Sequence, residues 1–349
     1  MKRILLVGAG HAHLAVLRSL LKEPLRDARI GLVSPFARQV YSGMLPGVVA
    51  GHYRKQDAEI DVARLAASAQ AEFIEGEVVG LDAQRRSATL KDGSELVFDC
   101  ASLNAGSLAD ASVPGSLAHA LPVKPFELLL QRLDLTRGGH IAVIGGGAGG
   151  VELAMAMRHR GAHVSVYSER SAFPPGLAPR VAAALRGESV SFLAMAVTRL
   201  EPGPSVIAGA TEARYDQVVL ASGAAPLPWL ARCGLATDER GFVLVDETLR
   251  SVSHPEVFAA GDCATLREHP VPKSGVYALR QGQALVQSLR RLVAGQPALA
   301  YRPQRHALML LSCGRRYAIA QRGGWSAQGR WVWWWKDRVD RSWVKSLTV

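Results

Sequence analysis

The apolar positions of this chain fall into short runs that end in glycine turns and are followed by segments of helical period. Residues 3–7 form one such run, closing on Gly8-Ala9-Gly10. From residue 12 to 21, Leu14, Leu17, Leu20 and Leu21 then recur on one side, as an amphipathic helix requires. A second apolar run, residues 30–33, completes a strand–helix–strand unit of about 30 residues. The same order returns later in the chain. His140–Ile144 reads as a strand, residues 145–150 as a glycine-rich turn, residues 151–160 as a helix and His163–Tyr167 as the next strand. Alternating stretches at 73–81, 88–90 and 95–98, with the turn Lys91-Asp92-Gly93, predict hairpin or meander pieces. Two stretches rich in Ala, Gly and Pro, 104–125 and 226–246, read as crossings between domains.

Composition narrows the picture. A length of 349 residues suits about two domains, and no apolar stretch approaches the roughly 18 residues of a membrane span. Cys100, Cys233, Cys263 and Cys313 are scattered without metal-like or disulfide-framework spacing. Together with the absence of an export signal in the first residues, this sets the expectation of a reducing, cytoplasmic location, with peripheral contact at the inner face of a membrane as the variant to test. The net charge of +11 favours anionic ligands or surfaces, among which charge alone does not choose.

In a nucleotide-binding turn the first glycine permits the bend, the second lets a pyrophosphate approach the backbone, and the third lets helix and strand pack closely. The helix N-terminus then offers free N–H groups and partial positive charge to the phosphates. Gly145, Gly147 and Gly150 meet all three demands. The first turn has Gly8 and Gly10, but His13 stands at the third position, so a bulkier residue must be accommodated there. Of His11 and His13, one is expected to face the phosphate turn and the other to pack on the sheet; no metal site is expected. The first unit ends in Val33-Ser34-Pro35 without a ribose-binding carboxylate, which leaves Ser34. The second ends in Tyr167-Ser168-Glu169-Arg170, where Glu169 suits a ribose and Ser168 with Arg170 suits a 2′-phosphate. NADH and NADPH both remain open, with a lean to NADH because a carboxylate repels the extra phosphate.

Two further motifs, residues 217–226 (QVVLASGAAP) and 257–264 (VFAAGDCA), complete an order of four over residues 1 to about 300. In that order the chain resembles the two-dinucleotide flavoproteins of the pyridine nucleotide-disulfide oxidoreductase superfamily. The resemblance implies an α/β fold of two Rossmann-like domains in a glutathione-reductase-like layout with a short C-terminal β/α segment. Residues 1–110 and 245–302 would bind FAD, 111–244 NAD(P)H, and 303–349 form a Trp-rich ending. It further implies that Asp262 bonds the flavin's ribityl chain, and that Gly106 and Gly223 join the cofactor contacts. Residues 41–47 (YSGMLPG), 272–282 (PKSGVYALRQG) and 335–341 (WKDRVDR) are similar to the flavoprotein domain found fused before selenide, water dikinase. The general layout is that of type II NADH:quinone oxidoreductases. The chain departs from the disulfide reductases in having no cysteine across residues 39–51, so exchange through an active-site disulfide is excluded. Cys263 and Cys313 read as buried structural thiols.

By the same resemblance Glu152, on the first turn of the second glycine-turn helix, positions nicotinamide against flavin; the competing reading is a carboxylate that stabilises the helix N-terminus. Lys273, with the helix expected near Ser274, would stabilise negative charge on the reduced flavin, or be a solvated loop lysine. The expected activity is NAD(P)H dehydrogenation through FAD to a quinone or other small acceptor. An accessory role in selenium metabolism and a non-catalytic nucleotide-binding sensor are the alternatives. In the tail, Trp331, Trp333, Trp334, Trp335 and Trp343 lie among Lys336, Arg338, Arg341 and Lys345. That mixture suits an interfacial anchor, whereas the alternation of Trp331, Trp333 and Trp335 suits a strand packed on the flavin domain. No nucleic-acid partner is expected.

Overall fold

The computed structural model describes residues 1–135 and 138–349. Two parallel sheets organise the chain, and they repeat one strand order. In the first, Val257–Ala259, Cys100–Leu103, Lys2–Val7, Ala28–Ser34 and Glu72–Glu75 lie side by side. In the second the order is Leu121–Pro122, Gln217–Leu220, His140–Ile144, His163–Tyr167 and Ser191–Leu193. Past their exposed first residues both central strands are buried throughout, at 4–7 and 141–144, which is why they read as continuous apolar runs rather than alternating ones. Each sheet has a switch in connection direction beside its central strand, and ligands bind outside the carboxyl ends of strands at such a point.

The helix after the first turn spans His11–Leu20 and the helix after the second Ala148–His159. The alternating stretch at 73–81 divides in two. Glu72–Glu75 is the edge strand of the first parallel sheet, and Val78–Asp82 pairs antiparallel with Ser87–Leu90, itself paired with Glu95–Val97. Gly76 lies between the two strands, and its N–H bonds Ser34 O. A corresponding meander, Arg199–Glu201, Ser205–Ala208 and Thr211–Arg214, crosses over in the second unit. The first crossing pairs with the residues just before the second, where Leu108–Ala109 meets Ala224–Ala225.

The long helix Gly275–Val293 lies on His11–Leu20 so closely that a Cβ on Gly282 would stand 2.7 Å from Ala12 O. The C-terminal part is an antiparallel sheet, Met309–Ser312, Ala318–Arg322 and Trp325–Gly329, followed by the helix Arg330–Lys345. The strand reading of Trp331, Trp333 and Trp335 is therefore corrected. Residues 330–345 carry no glycine or proline, and Val332, Trp333, Lys336, Asp340 and Val344 recur at helical spacing on the buried side.

Candidate active site

At the first switch point Asn104 organises the turn. Its Oδ1 accepts from the N–H groups of Ala12 (2.9 Å) and His13 (3.2 Å), and its Nδ2 donates to Ala260 O (2.6 Å). Gly10 lies against it: a Cβ there would stand 2.4 Å from Asn104 Oδ1. His13 is fully buried, and its ring is accommodated by Gly8 O at 2.5 Å from Nδ1 and Ser102 Oγ at 2.8 Å from Nε2. The carbonyl can only accept, so Nδ1 carries the proton and Ser102 donates to Nε2. Burial depresses the His13 pKa to about 4, which keeps the ring neutral. His11 is on the other side of the helix start, with Ser42 Oγ 3.3 Å from its Nε2 and Gly275 beside its ring. Ser34 is buried at its strand end and accepts from Gln39 Nε2 at 3.0 Å.

Asp262 stands across this turn. Its Oδ2 takes hydrogen bonds from Lys124 Nζ (2.7 Å) and Ser107 Oγ (3.3 Å), and Lys124 also donates to Ser107 (2.8 Å). Burial works to raise the Asp262 pKa, but Lys124, His11 and Ser107 together outweigh it and hold the carboxyl below its ordinary range. The turn carrying Asp262 is fixed by Gln281, whose Oε1 accepts from Gly261 N at 2.6 Å. Asn104, Lys124 and Gln281 carry no motif signal of their own. Only Gln281 fell within a stretch singled out by resemblance.

The second turn divides its labour among three glycines. Gly145 has φ +122°, and a Cβ on it would lie 2.2 Å from Ala221 O; a Cβ on Gly150 would lie 2.0 Å from Gly145 O. Gly147 faces open space, as do Gly149, Gly106 and Gly223. No side chain caps the helix that begins at Ala148, so its first N–H groups point into that space. The cradle thus fits a pyrophosphate, a fit that side chains at Gly145 and Gly150 would destroy and one at Gly147 would obstruct. Ser168, Glu169 and Arg170 follow the adjacent strand, with Glu169 and Arg170 exposed and Ser168 Oγ donating to Arg170 O at 2.9 Å.

Glu152 lies one turn into this helix. Its Oε1 accepts from Ser312 N at 2.7 Å, which brings the C-terminal sheet against it. Burial pushes its pKa up to about 7, opposed by the Lys336 ammonium and the Ser312 amide and assisted by Asp340. Lys336 belongs to the C-terminal helix. It pairs with Asp340 Oδ2 at 2.6 Å, both side chains under a tenth exposed, and donates to Gly43 O. Asp340 also engages Tyr41, and Asp337 engages Tyr53, whose ring lies 4.8 Å from the Arg341 guanidinium. The residues 41–47 and 335–341, nearly three hundred positions apart, therefore form one contact.

Lys273 sits just before the helix start at Gly275. Its ammonium donates to Ala264 O and to Thr265 Oγ1 (2.9 Å) and lies 4.0 Å from the centre of the Phe242 ring. All four cysteines are buried and unpaired, and burial raises the Cys263 thiol to about 11. Among the described residues no group of three or more His, Cys, Asp or Glu side chains could hold a metal ion.

Two parallel sheets of one strand order, with a glycine turn at each switch point, define a two-dinucleotide fold. Residues 2–282 match the pyridine nucleotide-disulphide oxidoreductase family, and the chain belongs to it. FAD and NAD(P)H are the cofactors of that family, and the chain is an FAD-dependent NAD(P)H oxidoreductase. Ferroptosis suppressor protein 1 of Xenopus tropicalis is 25% identical over 346 residues, covering 92% of this chain and 89% of that protein. Among solved structures, the sulfide:quinone oxidoreductase of Aquifex aeolicus superposes with a TM-score of 0.81 at 16% identity, covering 99% of this chain and 91% of that one. NDH2 of Plasmodium falciparum in complex with NADH superposes at 0.80 and 13% identity, over 98% and 97% of the two chains. At these identities the structural likeness speaks for the fold.

Proposed function

We propose that this protein is a dehydrogenase of the type II sort, delivering electrons from NAD(P)H to a quinone or similar small acceptor. Residues 1–110 with 245–302 hold FAD, and 111–244 hold the nicotinamide nucleotide. The observation that carries the reading is the Lys336–Asp340 pair against Gly43 and Tyr41. It packs against residues 41–43, in the stretch where a disulfide reductase carries its cysteines, and beside it lies the carboxylate of Glu152. FAD, when bound, supplies the capacity to accept a hydride and return electrons singly or in pairs.

The residues divide the remaining work. Gly8, Gly10 and His11 form the FAD turn, with His13 and Asn104 holding its shape, Ser34 closing the adjoining strand end, and Asp262, braced by Lys124, meeting the ribityl chain. Gly145, Gly147 and Gly150 cradle the nicotinamide nucleotide's pyrophosphate, Glu169 takes its adenosine ribose, and Gly106 and Gly223 leave room for the cofactors between the crossings. Glu152 positions the nicotinamide. With its pKa raised to about 7, Glu152 is partly protonated near neutral pH, while its Oε1 accepts from Ser312 N. Lys273 is assigned a positioning role, bracing Ala264 and Thr265 behind Asp262.

Access for a lipid-soluble acceptor is supported by the C-terminal helix. Trp331 and Trp334 are 57% and 53% exposed, while Trp333 is 5% exposed and packs inward. The tail thus supplies both an interfacial face and a packed one. No helix among the described residues is long and apolar enough to cross a membrane.

The test is an anaerobic absorption spectrum of the FAD-loaded protein before and after NADH, then NADPH, then a short-chain quinone. Bleaching by one nicotinamide nucleotide and recovery with quinone are expected. A flavin that stays oxidised with both nucleotides defeats the dehydrogenase reading, and bleaching without recovery defeats the quinone.

A further inference from the structure

Helix Ala148–His159 has 12 residues, so its far end lies roughly 18 Å from the glycine turn at about 1.5 Å per residue. There, well away from the nucleotide cradle, an open cleft of ≈ 240 Å³ is lined by Val48, Val49, Leu130, Leu133 and Leu135, with Arg160 on its wall. Among the described residues its lining is apolar apart from that one cation. Arg158, His159 and Arg160 end the helix, and the turn of the C-terminal sheet brings Arg315 and Arg316 to the same place. Arg160 and Arg315 both act on the His159 ring, whose pKa burial, His52 and these two cations together lower. The His52 ring lies 5.1 Å from that of His159 and 5.7 Å from Trp333, and the Arg316 guanidinium lies 5.5 Å over Trp333. Trp334, exposed, adjoins Trp333 at 5.2 Å.

A helix C-terminus accounts for one or two cations at its own end. It does not account for Arg315 and Arg316, which arrive from another element. The acidic side chains on the neighbouring segments are Asp134 and Glu188; Glu188 pairs with Arg315 at 3.0 Å and also faces Arg158 at longer range. Among the described residues, Arg158, Arg160 and Arg316 are in no ion pair. Cations of this kind match phosphate oxygens, an apolar cleft matches a hydrocarbon chain, and exposed indoles match the headgroup level of a bilayer.

We infer that this face is a binding site for an acidic phospholipid, its phosphate met by Arg158 and Arg160 at the helix end and part of an acyl chain lodged in the Val48–Leu133 cleft. The inference rests on the membrane-contact reading above and names its lipid. The site lies at the far end of the helix from the nucleotide cradle, so the lipid site and the nucleotide site can be occupied together.

The experiment is co-sedimentation of the FAD-loaded protein with vesicles of phosphatidylcholine alone or with one third phosphatidylglycerol. Wild type, R158Q/R160Q and W331S/W334S are compared. Each lost arginine is expected to weaken binding to the acidic vesicles about fivefold, about twenty-five-fold for the pair, with phosphatidylcholine binding and reduction by NAD(P)H unchanged. Equal binding of R158Q/R160Q and wild type to acidic vesicles, with loss in W331S/W334S, overturns this site and keeps the tail's membrane contact. If wild type binds neither vesicle, the membrane contact itself falls. Displacement from acidic vesicles by millimolar inorganic phosphate at constant ionic strength marks a free-phosphate site and overturns the lipid assignment.

Discussion

Asn104 holds the first glycine turn, and Glu152 ties the second glycine-turn helix to the C-terminal sheet. The Asn104 side chain makes three hydrogen bonds to buried backbone groups. Asn104→Ala strands two N–H groups and a carbonyl, a loss of about 2–4 kcal/mol on the usual cost of unpaired buried groups. Urea denaturation should read that loss, together with weaker FAD retention. Glu152 is linked to pH. Burial raises its pKa from 4.5 to about 7, so between those values the folded protein holds a proton that the unfolded chain has released. Its contribution to stability is complete below pH 4.5, declines as pH rises to about 7, and is flat above. Glu152→Gln should remove that decline in denaturation measured from pH 5 to 8. His13, with its pKa depressed to about 4, acts in the opposite sense below pH 6.5 in both proteins and cancels in the comparison. The same substitution should slow reduction by NAD(P)H about 10²-fold, as misplacement of a reacting group does, with FAD still bound. An unchanged rate would remove Glu152 from the chemistry. Gly145, Gly147 and Gly150 were legible in the sequence because spacing alone prescribes their roles. Asn104 and Lys124 were not, because a polar residue in a crossing acquires its partners only when strands distant in sequence come together.

The strand–turn–helix units were readable because apolar period and glycine punctuation are local signals. The C-terminal helix was readable only in part. Its tryptophans alternate over residues 331–335, and that short pattern mimics a strand, whereas the buried set Val332, Trp333, Lys336, Asp340 and Val344 emerges only over four turns. Lys336 and Asp340 are charged residues at core positions, which hydrophobic patterning assigns to solvent. Asp340→Ala leaves Lys336 buried without its partner and should cost about 3–5 kcal/mol, measured by denaturant midpoint. Removal of residues 329–349 strips Val332, Trp333, Val344 and Leu347 from the core, so the trimmed chain should aggregate or unfold. Trp331→Ser/Trp334→Ser touches only the exposed face. It should keep the thermal midpoint within a degree or two, as surface changes do, while reducing vesicle binding.

At the scale of the whole molecule, the proposed FAD turn and its partners come from residues 8–13, 104–107, 124 and 261–262, segments that only the folded chain gathers. A ligand that binds only the folded state stabilises it, by about 2.7 kcal/mol at a hundredfold excess over Kd. Thermal melting of the FAD-stripped protein should therefore shift upward by several degrees when FAD is restored. No shift would mean that these segments do not form the flavin site. The sequence by itself determined the two βαβ units, the order of the nucleotide motifs, the lack of a redox disulfide and the placement of Glu152 on its helix, since each follows from residue type at short spacing. Only the tertiary structure decided that His13 is neutral and bonded, that Lys336 and Asp340 clasp the Tyr41–Gly43 loop, and that the tail is a helix with one buried and one exposed face. Those outcomes depend on burial and on partners far along the chain, where desolvation and hydrogen-bond geometry set which charge survives and which side chain faces water.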